Sequence, residues 1–538
     1  MRRRPWLKGS AEGSRHSGGL RPAEGSRPAV FAALAPIIFL IAELFFVVRY
    51  FGADAMDGAS QLALIFAAGL GIAISMLVCK HKWSNLESAI LENIRSIGSA
   101  VLILLLIGMI SGSWMMSGIV PMMISGGLKV LTPKVFLLAV CVICALVSVM
   151  TGSSWTTIAT IGVAFVGIGM ALGYSPGWTA GAIISGAYFG DKISPLSDTT
   201  VLASSSAGTP LFNHIRYMMI TTVPSFVLAC IVFTVASLVH TDVGVAESRH
   251  IIEALHSTFN FSPWLVVVPV LTLVMILFRL PAIITLLCSA LLAGIAALIF
   301  QPHLVAGVCA AGGLVTEAGG SLLAGGFAAE AGGLAAGAGD LAAGGALSFK
   351  SAFMGLARCY YDGTSFATGL PELDSLLETG GMNGMVSTII LVFAAATFGG
   401  VMAGSGMLRT LTELLIRKVK GRFGSVAATV VSGIFCNMMT GDQYLSIILT
   451  ASLYKDLYRK NGLEPRLLSR STEDSATVTS VLIPWNSCGM TQSTVLKIPT
   501  LDYLPYCFFN LISPLMSVII ALVGFRIAPA KKVSTDGE

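Results

Sequence analysis

Apolar stretches of about twenty residues, each long enough to cross a bilayer core as a helix, recur along almost the whole of this 538-residue chain. That feature confines the fold more than any other, because in lipid every backbone polar group has to be satisfied within the segment itself. Hydrophobic residues make up 55% of the chain, charged residues only 11%, and the mean hydropathy is +0.82, which excludes a soluble globular fold. The sequence predicts an all-α polytopic membrane protein with most of its mass in the lipid bilayer. A net charge of +5 is then a matter of loops and gives no reason to expect nucleic acid as a partner. Cys141 and Cys144 have the spacing of a redox or metal pair, but they sit mid-helix among aliphatic residues and read as small core side chains.

In chain order, residues 1–28 read as a disordered basic tail in which Ala-Glu-Gly-Ser-Arg occurs at 11–15 and again at 23–27. The apolar run 29–51 is too long for a signal-peptide core and lacks a small-residue cleavage site, so it reads as an uncleaved first span opening a first transmembrane repeat, 29–240. Glu43 within it reads as structural, paired or facing a polar crevice. A second span near 59–79 leads into Lys80–Arg95, where Trp83, Leu86, Ile90 and Ile94 keep a helical period and predict an interfacial amphipathic helix. A third span, 97–119, carries Gly108 and Gly112 at a close-packing interval. Apolar arms at 133–150 and 156–173 flank the polar turn Thr151-Gly-Ser-Ser-Trp155 and predict a re-entrant hairpin, with a plain pair of full spans as the alternative. A half-helix, 178–190, then runs into Ser194–Thr200, where Pro195 removes a backbone donor and frees carbonyls that can bind a cation. Residues 217–240 are apolar again.

An acidic external loop, 241–262, separates this from a second transmembrane repeat, 263–526. Spans are expected at 263–280 and 281–300, and the Ala/Gly-rich residues 305–347 read as a flexible insertion, not another span. A span from about 385 ends in Gly400 and Gly404, a basic loop covers 409–422, and a second hairpin over 425–457 has Thr440-Gly-Asp-Gln-Tyr444 at its tip. After a basic loop, 454–470, the chain passes Glu473, Asp474 and Pro484-Trp-Asn-Ser-Cys-Gly489 to a last span, 504–526, and a cytoplasmic tail, 527–538. His214 is expected at the surface of a cytoplasmic connection.

The halves share punctuation at one offset: Thr151-Gly152 and Thr440-Gly441 differ by 440 minus 151, or 289, and so do Pro195 with Pro484 and Tyr217 with Tyr506. Aligned apolar periods could arise by chance, but turns, prolines and span starts would not align together, so the chain reads as a tandem duplication. Basic loops belong to the cytoplasm, which puts both termini there and inverts the two repeats. Each repeat is expected to hold about five spans, a re-entrant hairpin and a broken helix, a design in which secondary transporters bind substrate near the midplane.

Four polar breaks are expected to converge: Thr151–Thr156, Ser194–Thr200, Asn437–Tyr444 and Pro484–Gly489. They offer hydroxyl, amide, carbonyl and carboxylate oxygens, suited to a hard alkali cation such as Na+ and not to a transition metal. The ion-binding candidates are Asp198 and Asp442 with Ser194, Ser197, Thr199, Thr151, Ser153, Thr440, Asn437, Asn486 and Ser487. At the common offset Asp198 aligns with Ser487 and Asp442 with Ser153, so each half adds one acid from a different element. Burial favours the neutral form of a carboxylate, so sodium and protons could compete for the same oxygens. Secondary candidates are Asp191, which could instead pair with Lys192 or cap the break, and Glu473 and Asp474, which could merely complement a helix dipole.

Gly186-Ala-Tyr-Phe-Gly-Asp-Lys-Ile-Ser-Pro-Leu-Ser-Asp-Thr-Thr200, with Thr151-Gly-Ser-Ser-Trp155, Leu468-Ser-Arg-Ser-Thr-Glu-Asp-Ser475 and Pro484-Trp-Asn-Ser-Cys-Gly489, resembles the NhaC-type sodium/proton antiporters over about residues 30–526 outside the insertion. The family's usual glycine is Ala476 here, and neither the basic tail nor the insertion belongs to its pattern. The resemblance implies a multi-pass cation/proton exchanger of the cytoplasmic membrane, in the wider ion-transporter superfamily, and no enzyme. Sodium and protons are then the transported partners and no cofactor is required; a homodimer is left open. Similar sequences include a sodium-lactate/malate-proton exchanger, so carboxylate exchange is the alternative, with Lys192 as the cationic group for the anion. An intramembrane aspartyl protease is a remote alternative, since Tyr188 and Met439 stand where its Gly-x-Gly-Asp motif needs glycine.

Overall fold

The computed structural model describes residues 28–51, 58–239, 245–278, 280–310, 314–316, 348–416 and 419–527. Residues 1–27 of the expected tail, 311–313 and 317–347 of the expected insertion, and 528–538 lie outside them. Among the described residues nine helices are long and apolar enough to cross a membrane, and two bent pairs, Arg249–Thr258 with Pro263–Ile276 and Thr500–Tyr506 with Phe508–Val523, could add to them. The protein is an all-α polytopic membrane protein, with one small exception: Leu314–Thr316 and Ser365–Ala367 pair as parallel three-residue strands. The start of the expected insertion is also helical, in Pro302–Ala310. Much of the outer surface is apolar; Val227, Ile231, Val235 and Leu238 stand exposed along one stripe of the Leu211–Val239 helix, as a lipid-facing surface requires.

Inside, two large apolar clusters meet at the polar elements. One gathers Phe136, Cys141, Cys144, Ile184 and Phe509, and the other Leu64, Leu104, Leu391, Val401 and Cys436. In the first, the Phe136–Thr151 helix lies along Pro176–Ile193 so closely that a side chain at Gly186 would meet the backbone carbonyl of Cys141. Two dispersion-packed helices at that separation form a rigid wall beside the breaks.

Both expected hairpin turns form and are built in the same way; the arms of the first, Pro133–Thr151 and Ser154–Ala171, are each long and apolar enough for a full span. Phe136–Thr151 ends in Gly152 at φ 66° and Gly421–Thr440 ends in Gly441 at φ 64°. Left-handed backbone is open to glycine and costs other residues roughly 1–2 kcal/mol. The residue that follows caps the returning arm: the Ser153 hydroxyl accepts from Thr156 N at 3.2 Å and Asp442 Oδ1 accepts from Leu445 N at 2.9 Å. Each turn also rests on the break of the helix that follows, Gly152 on Leu196 and Gly441 on Trp485, again 289 apart (485 minus 196). Gly152→Ala is therefore expected to lower stability by about 1–2 kcal/mol or more, because strain at positive φ adds to a clash with Leu196. Thermal unfolding in detergent measures it, and an unchanged midpoint would show that the turn carries no strain.

The Lys80–Arg95 reading needs correcting. The Trp83–Ser96 helix lays much of its apolar face on protein: Leu86, Ala89 and Ile90 are buried against the Val386–Gly404 helix at Gly400 and Gly404, and Asn93 donates to the Ala396 carbonyl at 2.6 Å, while Trp83 stays exposed. An amphipathic period specifies an apolar face without saying whether lipid or protein covers it. Gly108 and Gly112 do allow close approach, to the backbone at Gly381 and at Cys359.

Candidate functional site

Both broken helices break where their prolines and hydroxyls predict. Pro176–Ile193 stops before Ser194, and Asp198–Ala207 restarts with Ser197 as its cap. In the second half, Pro465–Thr472 continues through a π-turn at Glu473–Thr477 and a short 3-10 turn at Ser480–Leu482, breaks at Ile483–Asn486, and restarts as Ser487–Leu496 with Asn486 as its cap. The offset of 289 carries over to side-chain bonds. Ser148 donates to the Ala187 carbonyl at 2.6 Å, and Asn437 donates to the Ala476 carbonyl at 2.6 Å. Ser154 donates to Asp191 at 2.7 Å where Ser480 donates to Gln443 at 3.3 Å, the same contact with donor and acceptor exchanged between the elements.

A cavity of about 390 Å³ opens beside the first hairpin turn. Its polar wall contains Thr151, Ser153, Asp191, Ser197, Asp198 and Thr199, with Gln443 and Tyr444 reaching in from the second hairpin. Three of the four expected breaks thus converge. The fourth does not: Pro484–Gly489 packs behind the second turn, where Ser487 donates to Asp442 Oδ2 at 3.4 Å and Asn486 donates to the Asn437 carbonyl at 3.2 Å. Thr440 is turned inward as well, its hydroxyl bonded to the Asp442 carbonyl at 2.9 Å and to Ser446 at 2.8 Å, and Ser194 donates to the Val149 carbonyl at 2.8 Å.

The three acids accordingly differ. Asp198 is exposed to the cavity and, among the described residues, has no ion-pair partner. Asp191 is 6% exposed, lines the same cavity, and accepts from both the Ser154 hydroxyl and the Ser154 amide, at 2.7 and 3.2 Å. It holds the hairpin turn and does not pair with Lys192. Asp442 is 1% exposed and spends one oxygen on the cap and the other on Ser487. Cation-attracting oxygens at the cavity are therefore those of Asp198 and Asp191, with neighbouring hydroxyls.

Lys192 points the other way, into the protein. It is fully buried and joined to Asp474 and, at 2.9 Å, to the Ser513 hydroxyl. Thr221 donates to Asp474 at 3.0 Å, and Arg470 lies 3.9 Å from the other Asp474 oxygen with its guanidinium 4.8 Å from the centre of the Tyr217 ring. Its sequence neighbourhood puts Arg470 in a basic loop; it is instead fully buried, because the helix that begins at Pro465 places it one turn from Asp474. His214 also departs from expectation: it is fully buried, with Nδ1 2.8 Å from the Ser469 hydroxyl. Glu473 is buried too, accepting from Thr199 Oγ1 at 3.2 Å, so neither it nor Asp474 is a solvated helix-end charge. Arg470, Thr221 and Ser513 are the contacts that sequence reasoning missed. Only Arg470 left a signal, an arginine four residues before an aspartate in a hydroxyl-rich helix.

The profile of the Na+/H+ antiporter family matches residues 26–217, 186–335 and 340–525. The chain is 34% identical to the Na(+)/H(+) antiporter NhaC of Alkalihalophilus pseudofirmus over 84% of its own length and 88% of that protein's. It is 30% identical to the malate-2H(+)/Na(+)-lactate antiporter of Bacillus subtilis, covering 87% and 90% of the two chains. Identity to the arginine/ornithine antiporter ArcD of Halobacterium salinarum is 32%, over 93% of each.

Proposed function

The chain belongs to the Na+/H+ antiporter family, and from that membership we propose that it is a secondary transporter exchanging sodium for protons by alternating access. It is a transporter, not an enzyme. The observation that carries the site assignment is the cavity in which Asp198 stands exposed and unpaired among the described residues, with Asp191 and the Ser197 and Thr199 hydroxyls beside it. A hard monovalent cation exchanges its hydration shell for such oxygens.

The repeated turns, caps and breaks support a duplicated architecture with the second half inverted, the first repeat over 29–240 and the second over 263–526. With both termini in the cytoplasm, the cavity opens on the cytoplasmic side, since it is lined at its mouth by Ser99, where the third span begins, and by Pro281, where two spans join. This is an inward-facing arrangement in the cytoplasmic membrane. The fourth break, closed over Asp442, is then on the path to the outside, and Asp442, Asn437, Thr440, Asn486 and Ser487 complete the site when the halves rearrange.

A carboxylate-coupled exchange, as named for the Bacillus subtilis relative, needs a cationic anchor in the cavity. Lys192 is engaged by Asp474 and Ser513 away from it, which favours the sodium/proton reading. The test is direct: sodium added to acid-loaded inside-out vesicles containing the protein is expected to raise the lumenal pH, whereas labelled malate or lactate shows no counterflow. A pH that does not respond to sodium would overturn the proposal.

A further inference from the structure

We infer that Glu473 carries the proton in this exchanger, at a site separate from the cation-binding cavity and joined to it by the hydroxyls of Thr199 and Ser197; this rests on the sodium/proton reading above. Glu473 is fully buried and does not line the cavity. It stands at the start of the π-turn Glu473–Thr477, where an extra residue in the turn re-aims side chains off the normal helical face. That turn directs it across the boundary between the two halves of the chain, toward the restart of the first broken helix.

Its two oxygens are unequal. Oε1 accepts from Thr199 Oγ1 at 3.2 Å, and Oε2 has no hydrogen-bond partner among the described residues. A buried carboxylate oxygen left without a donor is costly while the group is charged, and a proton on it removes that cost. Thr199 Oγ1 is in turn 3.0 Å from Ser197 Oγ, and both of these residues line the cavity that Glu473 does not reach. Two hydroxyl oxygens in series therefore connect cavity water to a carboxylate sealed from it. In the transfer, a hydrated excess proton in the cavity passes to the Ser197 oxygen, the Ser197 hydroxyl proton passes to the Thr199 oxygen, and the Thr199 hydroxyl proton passes to Glu473, leaving neutral water in the cavity. Both hydroxyls end neutral, and release runs the same steps backward.

The surrounding charges couple this proton to the cation. Lys192 and Asp191 act on Glu473 from the Pro176–Ile193 helix, and Asp474 and Arg470 lie on its own segment. From the other packed elements, His214 faces Lys192 and Asp474, Tyr217 and Tyr458 face Arg470, Ser513 faces Lys192, and the Gly421–Thr440 helix meets the segment through Gly433. With Glu473 ionised, the two cations Lys192 and Arg470 balance Asp474 and Glu473. A proton on Glu473 leaves one positive charge in excess beside Asp191, which disfavours a sodium ion in the cavity. Proton and sodium then alternate without sharing an oxygen.

Proteoliposomes separate the two ions. Labelled sodium exchanging for unlabelled sodium needs no proton, whereas a sodium-driven pH change does. In Glu473→Gln, sodium/sodium exchange is expected to stay within about twofold of the parent while sodium/proton exchange falls by roughly 10²-fold or more, the scale of a lost positioned proton-transfer group. In Thr199→Val, where the lost hydroxyl also faces the cation cavity, both exchanges are expected to fall, sodium/proton exchange by roughly tenfold more than sodium/sodium exchange, and Thr199→Ser is expected to restore both; this pair carries the test if Glu473→Gln does not fold. Proton exchange retained in Glu473→Gln or in Thr199→Val overturns the inference, as does equal loss of both exchanges in the folded proteins. A parent that exchanges sodium but moves no proton, or exchanges neither, overturns the sodium/proton reading itself.

Discussion

Asp198→Asn is expected to abolish most sodium-driven proton exchange in inside-out vesicles, by about 10²-fold or more if a positioned charged ligand is lost, with thermal stability unchanged. The two halves of that expectation come from one observation. Asp198 is exposed to the cavity and, among the described residues, bears no ion pair, so no charge pairing in the fold depends on it. Substitutions at such positions usually shift stability by no more than about 0.5 kcal/mol. The charge is nevertheless the group best placed to compensate a cation that has shed water. Asp442→Ala serves as the contrast: Asp442 is 1% exposed and caps the Gln443–Lys460 helix, so its loss is expected to lower both transport and the unfolding midpoint. Full exchange in both variants would remove the site assignment.

Lys192→Met is expected to have the largest effect on stability, about 3–5 kcal/mol, the cost of breaking a buried pair by removing one partner. Asp474 would keep the Thr221 and Ser513 hydroxyls, but its remaining cation, Arg470, is 3.9 Å away, beyond hydrogen-bond length. Removing Asp474 as well should recover much of the loss, because an apolar pair in place of a buried ion pair is often neutral or better. Unfolding midpoints in detergent for Lys192→Met, Asp474→Leu and the double variant give the coupling directly. A loss in the double variant equal to the sum of the two single losses would show that the two side chains are not coupled. Lys192 comes from the first half and Asp474 from the second, 282 residues apart, so the same cycle measures how firmly this pair joins them.

Much of this protein was legible along the chain because membrane residence makes the governing rules local. Whether a segment spans depends on its own twenty or so residues, and whether it breaks depends on a proline, a glycine or a cluster of hydroxyls within it. Thr151-Gly152 and Thr440-Gly441 are turns, Ser194–Ser197 and Ile483–Asn486 are breaks, and the interval of 289 recurs in their hydrogen bonds. The Trp83–Ser96 helix shows where local rules stop: its period is as expected, but its apolar face meets the Val386–Gly404 helix.

The sequence by itself determined the span pattern and the positions of the breaks, and it supplied the 289-residue interval and the oxygen-rich breaks from which a duplication and a sodium site are proposed. Only the tertiary structure decided which acid meets water. It placed Asp198 and Asp191 on the cavity, closed Asp442 under Ser487, and turned Lys192, Arg470 and Glu473 into one buried cluster. The physical reason is range. Helix formation and breakage are settled within a few turns of the chain, but burial and charge pairing depend on which surfaces pack across hundreds of residues, and no periodicity records that choice.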